Sequence, residues 1–486
     1  MKENKSKKMN KKRILKNKYG SFLSQASIFG FMDSDFIFDK IYGSWLGKIA
    51  GGTYAMPMEG HPKQKIQNRN PPLTGWTPAH RQVVNDDEQY EFIALMALEN
   101  TTDEQLKERW NTHTLLSPEH QGPLWEQNLH PLLVFTAEKA ALINATKANV
   151  PWEHAGDEIF NGCYQNPYFD WIGAQMKGEL FGMLSPAWGW HQKGNSVKQD
   201  LEKLYRTLSL SYQDARLAHR GVGIVGELFV SCMISVALDF NIKDPQQYTI
   251  NYPAPCVRWL EKTFMPSLEL PKEKSENIIQ IGLCAELLKE DIRRVHRVLE
   301  AFSKNSKQQL DFSSADVETY FRFITPVLED HDKNPDPRRW EEIWEKVMKE
   351  WTHYFEDLER DAKIRLSNDK KGLKARLKVL RRNRWVHTLG NNTAIVIGLI
   401  YGDGDFTETI LKATECGMDT DCNAGNAGAI LGAYLGARMI PVYFKRFIRG
   451  EMIPALKTFN ELSIQRLAER TINQMCRIEK LNPNFD

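Results

Sequence analysis

Two strips of glycine constrain this chain more than any other feature. Gly43, Gly47 and Gly51 recur at every fourth residue, and so do Gly428, Gly432 and Gly436. Residues four apart share one face of an α-helix. Glycine inside a helix costs about 1 kcal/mol against alanine. Two such strips therefore make sense where another helix or a ligand must come close to the backbone. Membrane helices use the same device, but Asn426 and Arg438 interrupt the second segment. Close helix packing in a soluble core is the preferred reading. No run reads as long and apolar enough to span a bilayer.

The rest of the chain has the same character. Apolar residues at three- and four-residue spacing predict helices over 38–52, 87–100, 131–148, 172–181, 214–239, 275–289, 290–303, 340–366, 393–399, 405–415 and 423–437. Alternating β-branched runs are nearly absent, so the expected class is all-α. The segment 330–384 is highly charged, with Asp336-Pro337-Arg338-Arg339 and Lys370-Lys371 at its joints. It reads as solvent-facing helices laid over the core, or as an insertion. Lys374, Arg376, Lys378, Arg381, Arg382 and Arg384 read as a solvated face. No linker forces separate domains, so residues 37–486 are expected to form one.

Nine basic residues between Lys2 and Lys18 face one acid, Glu3. Residues 1–36 read as a disordered, solvated arm, in preference to one that binds anionic polymers or lipid. No apolar stretch follows them, so they are not read as a signal peptide. The whole chain of 486 residues has a formal charge of +2. That gives no field to recruit nucleic acid. Its seven scattered cysteines include no C-x-x-C pair, which argues against a zinc ribbon or a disulfide framework. A reducing, cytoplasmic setting is expected.

Two acidic clusters carry the chemistry. Asn85-Asp86-Asp87-Glu88 directly precedes one predicted helix, and Asp419-Thr420-Asp421-Cys422-Asn423 runs into the second glycine-strip helix. Acids at a helix start can cap free N–H groups and favour the helix dipole. Each cluster alone has that simpler explanation. Together they place two pairs of repelling carboxylates that need a cation or raised pKa values. Oxygen ligands without a histidine cluster suit Mg²⁺, with Mn²⁺ as the other option, rather than Zn²⁺. A third element, Gly47-Lys48-Ile49-Ala50-Gly51-Gly52-Thr53-Tyr54-Ala55-Met56-Pro57-Met58-Glu59-Gly60, is a glycine-rich helix end that turns through a lone acid.

In this order the three elements resemble the ADP-ribosylglycohydrolase family. Met56-Pro57-Met58-Glu59 looks like its Pro-Val-Glu turn, and Asn85-Asp86-Asp87-Glu88 stands where it has a Thr-Asp-Asp-Thr motif. Gly417-Met418-Asp419-Thr420-Asp421-Cys422-Asn423 is similar to its Gly-Asp-Thr-Asp-Thr/Cys-Asn motif. The resemblance covers residues 39 to 440 and is interrupted by the charged segment. It implies a compact orthogonal helical domain and a site for two Mg²⁺ ions. Asn85, Asp86, Asp87, Asp419, Asp421 and Cys422 would be ligands, although a soft cysteine is a poor one for Mg²⁺. Glu59, Asp87 and Asp419 are the catalytic candidates. A carboxylate would take a water's proton as that water attacks an anomeric carbon.

Gly182, Trp188, Trp190 and His219 are carried as substrate-binding candidates. Core packing explains the two tryptophans equally well, and a core histidine is the preferred reading of His219. His387, Asn391 and Asn392 are expected to support the ligands from behind. The implied substrate is a small molecule or an ADP-ribosylated one. Hydrolysis of another ribosyl or glycosyl compound is the nearest alternative, and a non-catalytic protein on this fold the other.

Overall fold

The computed structural model describes residues 34–69, 85–192, 194–240, 285–306, 309–382, 384–452 and 454–481, the last stretch without 455, 457, 460 and 462. The arm expected over 1–36 lies outside them, except that α1 already begins at Ser34. Nearly all regular structure is helical. In order come α1 (Ser34–Ala55), α2 (Lys63–Gln67), α3 (Gln89–Glu99), α4 (Asp103–Asn111), α5 (Pro118–Asn128), α6 (Thr136–Lys147) and α7 (Glu179–Leu184). Next are α8 (Val197–Ala215), α9 (Val222–Asp239), α10 (Ala285–Asn305), α11 (Ser314–Arg322), α12 (Thr325–Lys333) and α13 (Trp340–Arg365). The last are α14 (Lys370–Arg382), α15 (Thr388–Tyr401), α16 (Phe406–Glu415), α17 (Thr420–Leu435), α18 (Val442–Ile448) and α19 (Ile464–Ile478). One two-residue hairpin, β1 (Ile159–Phe160) and β2 (Cys163–Tyr164), is the exception. The class is all-α.

The glycine strips form the axis of the molecule. A Cβ placed on Gly43, Gly47 or Gly51 would fall onto the carbonyl of Gly432, Gly428 or Ala424 respectively. So α1 and α17 run antiparallel with their backbones touching. Gly436 does a different job from its strip partners. It ends α17 at φ +84, where it serves as the C-cap. Lys40 is buried beside it, and its Nζ donates to the carbonyls of Ala433, Tyr434 and Ala237. One lysine thereby satisfies the last carbonyls of both α17 and α9.

Helix α9 lies behind this pair and is buried from Val222 to Leu238. Contrary to the sequence reading, it is long and apolar enough to cross a membrane, with mean hydropathy 1.8, but 94% of it is buried inside the protein. The helix expected over 214–239 is in fact two. α8 ends at Ala215, and the chain turns before Gly221, whose φ of +56 suits only glycine readily. Apolar spacing continues through the turn, so periodicity alone could not mark it. For 172–181 the correction is similar: a short 3₁₀ turn, Gln175–Lys177, precedes α7. The start of 275–289 lies outside the described residues, and α10 runs unbroken through 289–290.

The charged segment becomes the end of α12, then α13 and α14; α12 and α13 lie over α15, and α14 packs on α13. Its solvated face holds at Lys374, Lys378, Arg381 and Arg382; Arg384 is half-buried over the Phe355 ring, and Arg376 is buried and pairs with both oxygens of Asp170. The segment even has a small apolar cluster of its own, Phe355, Ala362 and Leu380.

Candidate metal centre

Two helix starts and one turn converge at one end of the α1–α17 pair. The hydroxyl of Thr420 donates to the Ala55 carbonyl at the end of α1, over 2.9 Å. Beyond Ala55 the chain makes a 3₁₀ turn, Met56–Met58, and Gly60 then donates its N–H to the Met418 carbonyl at 2.9 Å. A bridge between Pro62 and Gly417 continues the zipper. Gly417 and Met418 both have positive φ, +78 and +66, and this bend aims the next residue, Asp419, inward. Glu59 thus reaches a cluster more than 350 residues away in sequence.

The carboxylates fall into two groups. Ligand atoms of Glu59, Asp419 and Asp421 all lie within 4.8 Å of one another, as do those of Asp87, Asp421 and Cys422. Asp421 belongs to both, and its Oδ1 has no hydrogen-bond partner among the described residues. The capping explanation fails for the two residues best placed for it. Glu88 and Asp419 are the N-caps of α3 and α17, and neither side chain caps its helix. Asn85 belongs with the centre through its Oδ1, which accepts the Asp87 N–H. Asp86 does not join either group. Its carboxyl feels the charges of Asp421 and Glu138.

The electrostatics follow from burial. Asp87, Asp419 and Asp421 are all buried. Burial first, and then the Asp421 charge, pushes the carboxyls of Asp86, Asp87 and Asp419 well above the usual range. Glu59 sits exposed at the mouth, yet desolvation and the Asp421 charge push it up to about 7. Lys48, whose charge reaches Asp87, is held elsewhere. Its Nζ is 2.6 Å from Glu91 and 2.9 Å from Glu179, and it donates to the Met176 carbonyl. A surplus of negative charge is left, and a divalent cation would neutralise it. All the oxygen donors are hard. Cys422 fits least well as a ligand, and its thiol donates to Asp87 over 3.4 Å.

Of the three residues expected behind the ligands, Asn391 of α15 contacts the cluster, whereas His387 faces Asp170 and Asn392 donates to the Tyr320 carbonyl. The Oδ1 of Asn391 accepts the Asp419 N–H and the Asn423 amide, and its Nδ2 donates to the carbonyls of Trp385 and His387. Trp385 was not singled out in the sequence, where nothing connects it to Glu59. Its ring lies 3.6 Å from where a Cβ on Gly60 would sit, which makes it a wall of the mouth.

Most of the expected substrate contacts lie elsewhere. Trp190 is fully buried and donates Nε1 to Asp291 at 2.7 Å, while Asp291 also accepts from Tyr434. Tyr434 is thirteen residues along α17 from Asp421, or about 20 Å. Trp188, two residues away on the same turn, is half-buried at that far end. Gly182 is a packing glycine: a Cβ there would overlap the Ser231 carbonyl and Ile234 of α9. His219 is wholly buried, 3.6 Å from Glu138. Gly182, Trp190 and His219 are thus buried, and Trp188 is half-buried.

The family model for ADP-ribosylglycohydrolase matches residues 33–477. The chain belongs to the ADP-ribosylglycohydrolase family. By that membership it is a glycosidic-bond hydrolase, and proteins of this family typically bind a divalent metal. No curated protein matches it. Among solved structures it is similar to an "ADP-ribosylglycohydrolase-related protein complex", at 14% identity and a TM-score of 0.40, over 92% of this chain and 99% of that one.

Proposed function

We propose that this family member hydrolyses a glycosidic bond to ADP-ribose with Mg²⁺ as its cation. One observation carries the reading: Asp421, with an oxygen left free, is shared by two acidic groups whose neighbouring N-caps do not cap. Asp87, Asp419 and Asp421 would hold the cation, with Asn85 and Glu59 at its margin. A bound divalent ion supplies charge neutralisation and polarises the oxygens placed against it.

The chain's own residues supply the rest. Glu59 is the acid at the mouth and faces incoming substrate. As a carboxylate it is suited to take the proton of an attacking water. Trp385 flanks the same turn and offers a flat face to a base or sugar. Asn391 fixes the backbone at Asp419, so the acids keep their places when substrate arrives.

The test is turnover of ADP-ribosyl-arginine, ADP-ribosyl-serine and simple nucleosides with Mg²⁺, with Mn²⁺ and with EDTA. Mg²⁺-dependent release of ADP-ribose supports the proposal. Hydrolysis of nucleosides alone would reassign the substrate, and turnover unaffected by EDTA would remove the cation from the mechanism.

A further inference from the structure

A cavity of about 180 Å³ lies between α4, α8 and α10, and no residue of the carboxylate site lines it. Four aromatic rings, Trp110, Tyr205, Tyr212 and Phe302, form much of its wall. Trp110 stands edge-on to Tyr205, with ring centroids 6.4 Å apart and planes at 88°. Tyr212 is fixed in place: its hydroxyl donates to Asp311 at 3.0 Å and accepts that residue's N–H at 3.1 Å. No aspartate, glutamate, lysine or arginine is among the described lining residues. An occupant would therefore be uncharged, because a buried charge needs a partner.

One wall residue asks for a donor. Gln213 is only 7% exposed, and its Oε1 has no hydrogen-bond partner among the described residues. A buried amide oxygen left unpaired is costly. The loop at the mouth is also held in an unusual conformation. His113, which lines the cavity, has φ +55, and Leu116, next to the lining Leu115, has φ +61. Non-glycine residues in this region cluster where a ligand is clamped. Size narrows the choice further. An apolar cavity of about 150 Å³ accommodates one benzene ring, and drug-sized ligands need about 300 Å³ or more.

We propose that this cavity binds an uncharged, single-ring aromatic amide or amine, its ring among Trp110, Tyr205 and Phe302 and its N–H donated to Gln213 Oε1. This stands apart from the hydrolytic reading and does not depend on it.

Benzamide is the probe, titrated into the full chain by calorimetry and by saturation-transfer NMR. Saturable binding of benzamide, with benzoate at least about tenfold weaker because no lysine or arginine is among the described lining residues, supports the site. Gln213→Leu should weaken benzamide by about tenfold, and Ser209→Trp should abolish binding by filling the cavity. Circular dichroism checks that both variants keep the helical fold. Should Ser209→Trp fail to fold, Gln213→Leu and the benzoate comparison still decide. Absence of saturation in the parent, equal affinity for benzoate, or an unchanged affinity in Gln213→Leu would each overturn the proposal.

Discussion

Asp421 is where the two acidic groups meet, so a single atom exchange there tests the centre. Asp421→Asn keeps the shape and removes a charge both groups use. Turnover is expected to fall by about a hundredfold or more. In the parent Mg²⁺ should raise the melting temperature, since an ion that binds only the folded state stabilises it by mass action. In the variant that rise should shrink. Full activity with an undiminished Mg²⁺ response would make the cluster a structural feature. Cys422 offers a second test of the same site. Its thiol lies against Asp87, and sulfur favours soft ions whereas oxygen favours hard ones. Cys422→Ser is therefore expected to bind Mg²⁺ at least as tightly as the parent and Cd²⁺ more weakly, both read by calorimetry. If neither affinity moves, Cys422 takes no part in holding the ion.

At the scale of elements, the contact between α1 and α17 rests on missing side chains. Gly47 faces the Gly428 carbonyl with no room for a methyl. Gly47→Ala must push two backbones apart and should cost about 1–3 kcal/mol or more. Gly425 is the control on the same helix pair. A Cβ there meets nothing closer than 3.6 Å, so Gly425→Ala should be neutral or stabilise by up to about 1 kcal/mol through helix propensity. Chemical denaturation of both variants checks the contrast; equal effects would mean that the strip is not a contact surface. This pair was legible in the sequence because glycine at every fourth position has few other uses. The acidic motifs were legible too, because two carboxylates within three residues are hard to explain otherwise. Aromatic and histidine residues were not. Trp190 and His219 look the same in sequence whether they face a ligand or a core, and only the packing of α9 and α10 decides. The break between α8 and α9 was hidden for a related reason: its apolar residues keep helical spacing while the backbone turns.

Across the whole molecule, α17 joins two charged knots of opposite design. One end holds surplus carboxylates. At the other end His191 lies between Asp239 of α9 and Asp291 of α10, 3.2 Å from each, with Tyr434 of α17 donating to Asp291. Burial disfavours the imidazolium, but the Asp291 charge and hydrogen bonds to both carboxylates outweigh it and lift His191 to about 9. An unfolded histidine titrates near 6.5. The ion pair's stabilisation is therefore fully present below about pH 6.5 and is lost as pH rises through about 9, with a ceiling of about 3 kcal/mol. Lys40 works in the opposite sense. Burial lowers it to about 7 despite the nearby charges of Asp239 and Asp39. The folded chain sheds that proton before the unfolded one does, so its contribution rises with pH from about 7 to 10.5. Between pH 7 and 9 the two trends oppose each other, and the raised carboxyls of the acidic centre add a third. His191→Gln separates them, because the lysine is common to both proteins. The melting temperature of the parent should exceed that of the variant most at about pH 6, and the gap should close by about pH 9.5. A gap that stays constant over that range would mean that His191 is neutral in the folded protein, and that the two aspartates are held by their backbone, indole and hydroxyl donors.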